Sequence, residues 1–222
     1  MESLKAGRNR WILAFAVLIG AVLADQLIKI YVKTHFIYGE SYTVFDDWFK
    51  LYFIENEGMA FGMKLFGGGK VGKLILTFFR ILVSAFGIIY LISIIKGKYH
   101  RGLILSLALV LAGAIGNIID SIFYGVVFDD INGYVATWFE GHVVDMFYAP
   151  IYEGVPADWI PFIGGQHFVF FAPIWNFADA CITVGVAIMI IAQKWFTLPS
   201  PSIIFSKETS ESNTDNSSTN NL

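Results

Sequence analysis

Three aspartates stand inside otherwise apolar stretches of this 222-residue chain: Asp25, Asp120 and Asp179. A charge carried by a helix in hydrocarbon costs at least about 2.5–3.5 kcal/mol, so each acid needs a partner, water or a task. All three have polar company at helical spacing. Asp25 and Lys29 are four residues apart on one helix face and can neutralise each other. Asn117 and Asp120 are three apart, and Gly113 and Gly116 share their face, which permits close helix approach. Asn176 and Asp179 repeat that spacing. A fourth acid, Asp145, lies in Gly141-His-Val-Val-Asp-Met-Phe, where the apolar run predicts a place on the membrane surface.

Carboxylates brought together can activate water. Two like charges a few ångströms apart cannot both ionise cheaply, so one keeps a proton and serves as acid while the other serves as base. That arrangement can drive water onto a peptide carbonyl. The same residues also fit a proton path for transport, or plain helix-packing pairs, and spacing alone leaves all three open. On depth alone the pair would be Asp120 with Asp179. Other chemistries have less behind them. His35, His100, His142 and His167 lack metal-ligand spacing, and Cys181 is the single cysteine, so no metal is expected. No G-x-S-x-G elbow occurs. Gly67-Gly-Gly-Lys-Val-Gly-Lys fits a phosphate loop until Leu74 takes the place of the magnesium-binding Ser or Thr, and a span follows it.

The elements that must hold these acids follow from composition. The chain is 56% hydrophobic and 15% charged, against about 25% charged in a soluble domain, and its mean hydropathy is +0.62. With a net charge of −3 it presents no basic field for nucleic acid. The expectation is a polytopic, all-α membrane protein. Four stretches have the roughly 20 apolar residues needed to cross a bilayer: about 11–32, 74–95, 103–127 and 174–196. The first is too long for the apolar region of a cleavable signal peptide and lacks its small-residue site. Lys and Arg gather before span one, between spans two and three, and at or after the end of span four, whereas Phe123 to Ile174 has neither. Both termini are therefore expected in the cytoplasm. At 1.5 Å per residue, Asp25 lies roughly 21 Å into span one, Asp120 roughly 26 Å into span three and Asp179 roughly 8 Å into span four, all at a similar outer depth.

Two outer loops, 33–73 and 128–173, connect these spans. The first has β-branched and aromatic runs at Tyr42-Thr-Val-Phe and Phe49-Lys-Leu-Tyr-Phe-Ile, which predict a small extracytoplasmic β-rich element. The second is rich in Trp and Phe, suited to a bilayer interface. Residues 199–222, rich in Ser, Thr and Asn, are expected to form a disordered cytoplasmic tail beyond one four-span domain over 1–198.

Taken together, Asp25-Gln-Leu-Ile-Lys29, Asn56-Glu-Gly-Met-Ala-Phe-Gly62, Gly113-Ala-Ile-Gly-Asn-Ile-Ile-Asp120, Gly141-His-Val-Val-Asp145 and Asn176-Phe-Ala-Asp179 resemble, in order, the motifs of the lipoprotein signal peptidases. These are aspartyl peptidases of the bacterial inner membrane. The resemblance spans roughly Trp11 to Phe196 and implies removal of the signal peptide of prolipoproteins just before the diacylglyceryl-cysteine, with no cofactor. It implies Asp145 and Asp179 as the catalytic pair. Asp25, Lys29, Asn117 and Asp120 become supports, and Asn56, Gly58 and Asn176 join the substrate-binding and supporting set. Substrate and phospholipid bilayer are the implied partners, and globomycin-like cyclic peptides the implied inhibitors. Two departures stand out. The family carries Arg directly after the third motif's acid, where this chain has Ser121, and Arg80 in span two is a candidate substitute. Additions at about 123–140 and 149–171 lengthen the second loop and are expected to enlarge an outer lid.

Overall fold

The computed structural model describes residues 2–45, 48–56, 70–97, 99–170 and 173–196. Gly58, the turn expected after Asn56 and the expected tail at 199–222 lie outside the described residues. Four helices run in the order α1 (Glu2–His35), α2 (Lys70–Lys96), α3 (Arg101–Val127) and α4 (Phe177–Ile191). Six strands lie between them: β1 (Ser41–Phe45), β2 (Phe49–Asn56), β3 (Val143–Tyr148), β4 (Tyr152–Gly154), β5 (Phe168–Phe170) and β6 (Ile174–Trp175).

Three helices, α1, α2 and α3, are long and apolar enough to cross a membrane. The fourth apolar stretch is built differently from the uniform span expected over 174–196. It opens as strand β6, becomes helical after Asn176, and ends in turns at 192–196. At 1.5 Å per residue its 15-residue helix is about 22 Å long, short of the roughly 30 Å hydrocarbon core.

The bundle is centred on α3, which packs against the other three helices. Its apolar window is 61% buried, against 11% for α1 and 22% for α2. The outward faces of α1 and α2 present Ile12, Phe15, Leu23 and Leu27, and Phe78, Phe79, Leu82 and Phe86, all more than half exposed. Apolar stripes of that length fit lipid rather than water. Between α3 and α4 the backbones touch. A Cβ on Gly113 would collide with the carbonyl oxygen of Ala178, so glycine is what lets α4 lie this close.

The β-rich element is wider than the first loop alone. A four-stranded antiparallel sheet runs β1-β2-β3-β6, so the first loop supplies two strands, the second loop supplies β3, and the start of the fourth apolar stretch supplies β6. The expected run of residues around Asp145 lying on the membrane surface is strand β3, inside this sheet. Its physical cause is the alternation His-Val-Val-Asp-Met-Phe. Val144 and Met146 point into an apolar core with Val32, Tyr124 and Phe128, and Asp145 projects from the opposite face. Strands β4 and β5 pair as a separate hairpin within the 149–171 addition.

Candidate active site

Asp145 is fixed from both ends of its strand. On the N-terminal side the chain is stitched to the end of α3, where Phe139 N–H donates to Ile122 O at 3.1 Å and Gly141 N–H to Ser121 O at 3.0 Å. Gly141 permits this, since a Cβ there would strike the carbonyl oxygen of Asp120. Along the strand, Asp145 lies opposite Ile54 in β2, which brings Asn56 Nδ2 to Asp145 Oδ2 at 3.3 Å.

Asp179 occupies the first turn of α4, where Asn176 is the N-cap. The Asn176 backbone is extended, and its Oδ1 accepts the Asp179 N–H at 2.9 Å. That is the ordinary bond of an N-cap, and it satisfies one of the helix's orphan donors. The amide has a second end. Asn176 Nδ2 donates to Asp145 Oδ1 at 2.6 Å and to Asn117 Oδ1 at 3.2 Å. One side chain thus starts the helix that carries Asp179 and holds the strand that carries Asp145.

Asn117 extends the chain of bonds. Its Oδ1 accepts from Lys29 Nζ at 2.8 Å as well as from Asn176, so its NH2 is left to face Asp179 Oδ1 at 2.9 Å. Lys29 has no solvent exposure and distributes three bonds, the others being to Asp25 at 2.9 Å and Asp120 at 2.7 Å. Asp25 also accepts the Ala178 N–H at 2.9 Å, fixing α4 against α1. Asp120 is taken up on both oxygens, Oδ1 by Gln26 at 2.9 Å and Oδ2 by Lys29 and the Val144 N–H.

The carboxylates expected at one depth are therefore joined in one network, with two different surroundings. Asp25 and Asp120 face a buried cation. Asp145 and Asp179 accept hydrogen bonds from neutral amides, and the charge of Arg80 in α2 also acts on them. Burial first, and then the negative charge of Asp179, push the Asp145 carboxyl up from its ordinary 3.8 to about 7. Asp145 is 2% exposed, while Asp179 is half-buried.

Two groups of residues were not singled out in the sequence. Gln26, beside Asp25, donates to Asp120 and accepts from the Tyr124 hydroxyl at 3.1 Å. Lys33 continues the Asp25–Lys29 stripe by one more turn and pairs with Glu55, which His142 approaches at 3.4 Å. Burial works to raise the Glu55 carboxyl, but the hydrogen bonds from His142 and Lys33 outweigh it and hold it below its ordinary range. The four-residue periodicity of Asp25, Lys29 and Lys33 is the signal that marks this second pair. Of the glycine-rich stretch at 67–73, Lys73 directs its Nζ to the backbone carbonyl of Glu140, and residues 67–69 lie outside the described set.

Residues 17–195 match the family model described as signal peptidase (SPase) II, an interval that contains every acid of the network. Over 187 residues the chain is 46% identical to a lipoprotein signal peptidase of Porphyromonas gingivalis, covering 79% of this chain and 80% of that one. It is 34% identical over 184 residues to a lipoprotein signal peptidase of Amoebophilus asiaticus, covering 81% and 77%. Its fold is similar to that of a bacterial membrane enzyme determined in meso at 1.9 Å resolution, with a TM-score of 0.54 and 23% identity, over 81% of this chain and 91% of the other. A buried carboxylate network within a bundle of apolar helices and a sequence match across that whole bundle lead to one conclusion: the chain belongs to the signal peptidase II family of membrane proteases.

Proposed function

We propose that this protein removes the signal peptide from lipid-modified prolipoproteins, cleaving before the lipidated cysteine, and that Asp145 and Asp179 split the water. The observation that carries the reading is the difference in partners among the four acids. Asp120 has both oxygens committed to Gln26, Lys29 and a backbone N–H, which argues for a support. Asp145 and Asp179 receive single amide donors on the oxygens that Asn176, Asn56 and Asn117 reach, leaving lone pairs for a water and a substrate.

In this mechanism Asp145, raised by burial and by its neighbour's charge, carries the shared proton, and Asp179 is the base. Asp179 takes a proton from water as the water oxygen bonds to the peptide carbonyl carbon. Asp145 gives its proton to the carbonyl oxygen. As the tetrahedral intermediate collapses, the C–N bond breaks, the proton held by Asp179 goes onto the amine, and one hydroxyl proton of the intermediate returns to Asp145, leaving a carboxylic acid and the pair as it began. Asn56, Gly58 and Asn176 are the groups assigned to substrate binding and support, and Asp25, Lys29, Asn117 and Asp120 hold the pair in place.

The setting proposed is the bacterial inner membrane, with four crossings, both termini cytoplasmic and the site at the outer surface. Supporting it, the first loop's Lys33, Lys50 and Lys70 are each paired with an acid, Glu55, Glu153 and Glu140, so those charges are locally offset. The short α4 reaches across if the turn at 192–196 completes the crossing, with Ala192, Trp195 and Phe196 in the apolar layer and Lys194 at its cytoplasmic edge. Exposed Trp48, Trp138, Trp159 and Phe162 suit the interfacial layer, where the 123–140 and 149–171 additions would form an enlarged lid. Domain 1–198 is the peptidase, the remainder a tail, and globomycin-like cyclic peptides are its proposed inhibitors.

Incubating the purified protein in detergent with one prolipoprotein, lipidated or not, tests the reading. The expected product begins at the lipidated cysteine, and the unlipidated form persists. Equal cleavage of both, or a product starting elsewhere, would refute it.

A further inference from the structure

We propose that Arg80 of α2 is a positioning residue of the site, whose positive charge sets the pH at which the Asp145–Asp179 pair holds a single proton. The inference rests on the carboxylate pair assigned above.

Helix α2 turns one narrow stripe inward. Lys73, Arg80 and Gly87 are seven residues apart, buried Thr77 and Ser84 fill the turns between them, and buried Leu91 continues the stripe. The flanking Phe78, Phe79, Leu82 and Val83 are more than half exposed, on the lipid side. Arg80 is therefore on the face that meets α3, and it is half-buried. Its depth follows from the packing. Gly87 lies against Leu111, where an added Cβ would come to 2.7 Å from the leucine side chain. The two helices, α2 ending at Lys96 and α3 beginning at Arg101, run antiparallel. Moving seven residues outward from Gly87 reaches Arg80, and moving the same distance, about 10 Å, from Leu111 reaches Ile118. That is the level of Asn117 and Asp120. In agreement, the guanidinium feels the charges of Asp179, Asp120 and Asp145, one from each of three other elements.

Charge accounting gives this placement its consequence. Among the described residues, the groups facing the pair are Asp25 and Lys29 from α1, Arg80 from α2, and Asp120 from α3, with Tyr124 and Cys181 beside Asp25. Lys29 and Arg80 balance Asp25 and Asp120. The pair then carries a net charge of −1 when it shares one proton. Without Arg80 the cluster would have to hold −2 in a low-dielectric setting, and a second proton would bind more readily. Removing the cation therefore moves both limbs of the activity profile to higher pH. Arginine suits the task because it stays charged under all working conditions.

The test is the pH–activity profile of lipidated prolipoprotein cleavage by the full chain in detergent, for wild type, Arg80→Gln, Arg80→Met and Arg80→Lys, with Asp145→Asn in parallel. Methionine keeps a long apolar stem for the lipid-facing helix, so a folded neutral variant is available if glutamine fails. Melting temperatures verify folding. The neutral variants should show a bell displaced upward by about one pH unit, with activity down about tenfold on the acid limb and recovered at alkaline pH. Arg80→Lys should keep the wild-type profile. An unshifted profile in a folded neutral variant, a uniform loss at every pH, or a shift in Arg80→Lys equal to that in Arg80→Met would each overturn the role of Arg80 alone. Turnover surviving in Asp145→Asn would instead overturn the carboxylate pair, and the role of Arg80 with it.

Discussion

The Nδ2 of Asn176 reaches the Oδ1 of Asp145 across 2.6 Å, although one residue caps a helix and the other lies in the middle of a strand. The contact joins the helix bundle to the four-stranded sheet beside the two proposed catalytic acids. Because the same amide caps α4, capping and catalysis are separable by substitution. Asn176→Asp keeps an acceptor for the Asp179 N–H but loses the donor to Asp145 and adds a third carboxylate. At a pH low enough to protonate the added acid it should hold its melting temperature near wild type, while kcat falls by about 10²-fold or more. Asn176→Ala should lose activity and about 1 kcal/mol of stability as well. Thermal melts beside single-turnover rates distinguish the two effects, and a fully active Asn176→Asp would show that the Asp145 contact is incidental.

Lys29 should behave as a structural cation. It is paired directly with two fully buried acids, Asp25 and Asp120, and breaking a buried ion pair by removing one partner typically costs about 3–5 kcal/mol. Lys29→Met should lower the melting temperature sharply, and adding Asp120→Asn should restore part of the loss. If the double variant is no more stable than Lys29→Met, charge imbalance is not the reason.

Gly113 should tolerate nothing larger than hydrogen. A Cβ there meets backbone at Ala178, which cannot move without shifting the start of α4 and Asp179 with it. Gly113→Ala should therefore cost both stability and turnover. Gly20, with open space around its Cα, should accept alanine with little effect on either. Parallel expression, melting and activity measurements on the two variants check the contrast.

The protonation of Asp145 predicts how stability depends on pH. Its carboxyl holds a proton up to about pH 7, whereas its ordinary value is 3.8. The folded state thus binds more protons than the unfolded chain between those values, and stability must fall as pH rises through this window. Asp145→Asn is exempt from that loss. Above pH 7 it should be more stable than wild type by on the order of 2–4 kcal/mol, and near pH 4 about equal. Melting temperatures of the two proteins in detergent across pH 4–8 decide it, and parallel curves would contradict the assignment.

Much of this site is legible in the sequence, for physical reasons that stop at a definite point. Acids inside apolar helices are costly, so Asp25, Asp120 and Asp179 announce themselves, and helical periodicity predicts that Lys29 and Asn117 are their neighbours. Asp145 is different. It lies in a short apolar run whose strand character emerges only when Val144 and Met146 find the core beside Val32, and β2 pairs with β3. Read by depth alone, the residues favour Asp120 over Asp145. The choice turns on what occupies the oxygens, a buried lysine at Asp120 and single amides at Asp145, and that is a property of the folded network. The sheet was under-read for the same reason: β6 has two residues and no pattern of its own, and it exists because β3 offers an edge. Gln26 gives no such signal, because a polar residue next to an acid carries no period. Its partner Asp120 is 94 positions away.

The central claim is that Asp145 and Asp179, rather than Asp120, perform the chemistry. The most direct measurement is the single-turnover rate of lipidated prolipoprotein cleavage by Asp145→Asn, Asp179→Asn and Asp120→Asn in detergent, each with a melting temperature to establish that it is folded. The account predicts no detectable turnover in the first two and residual turnover in the third wherever it remains folded. Wild-type rates in either Asp145→Asn or Asp179→Asn, or a folded Asp120→Asn that binds substrate and never cleaves it, would contradict the account.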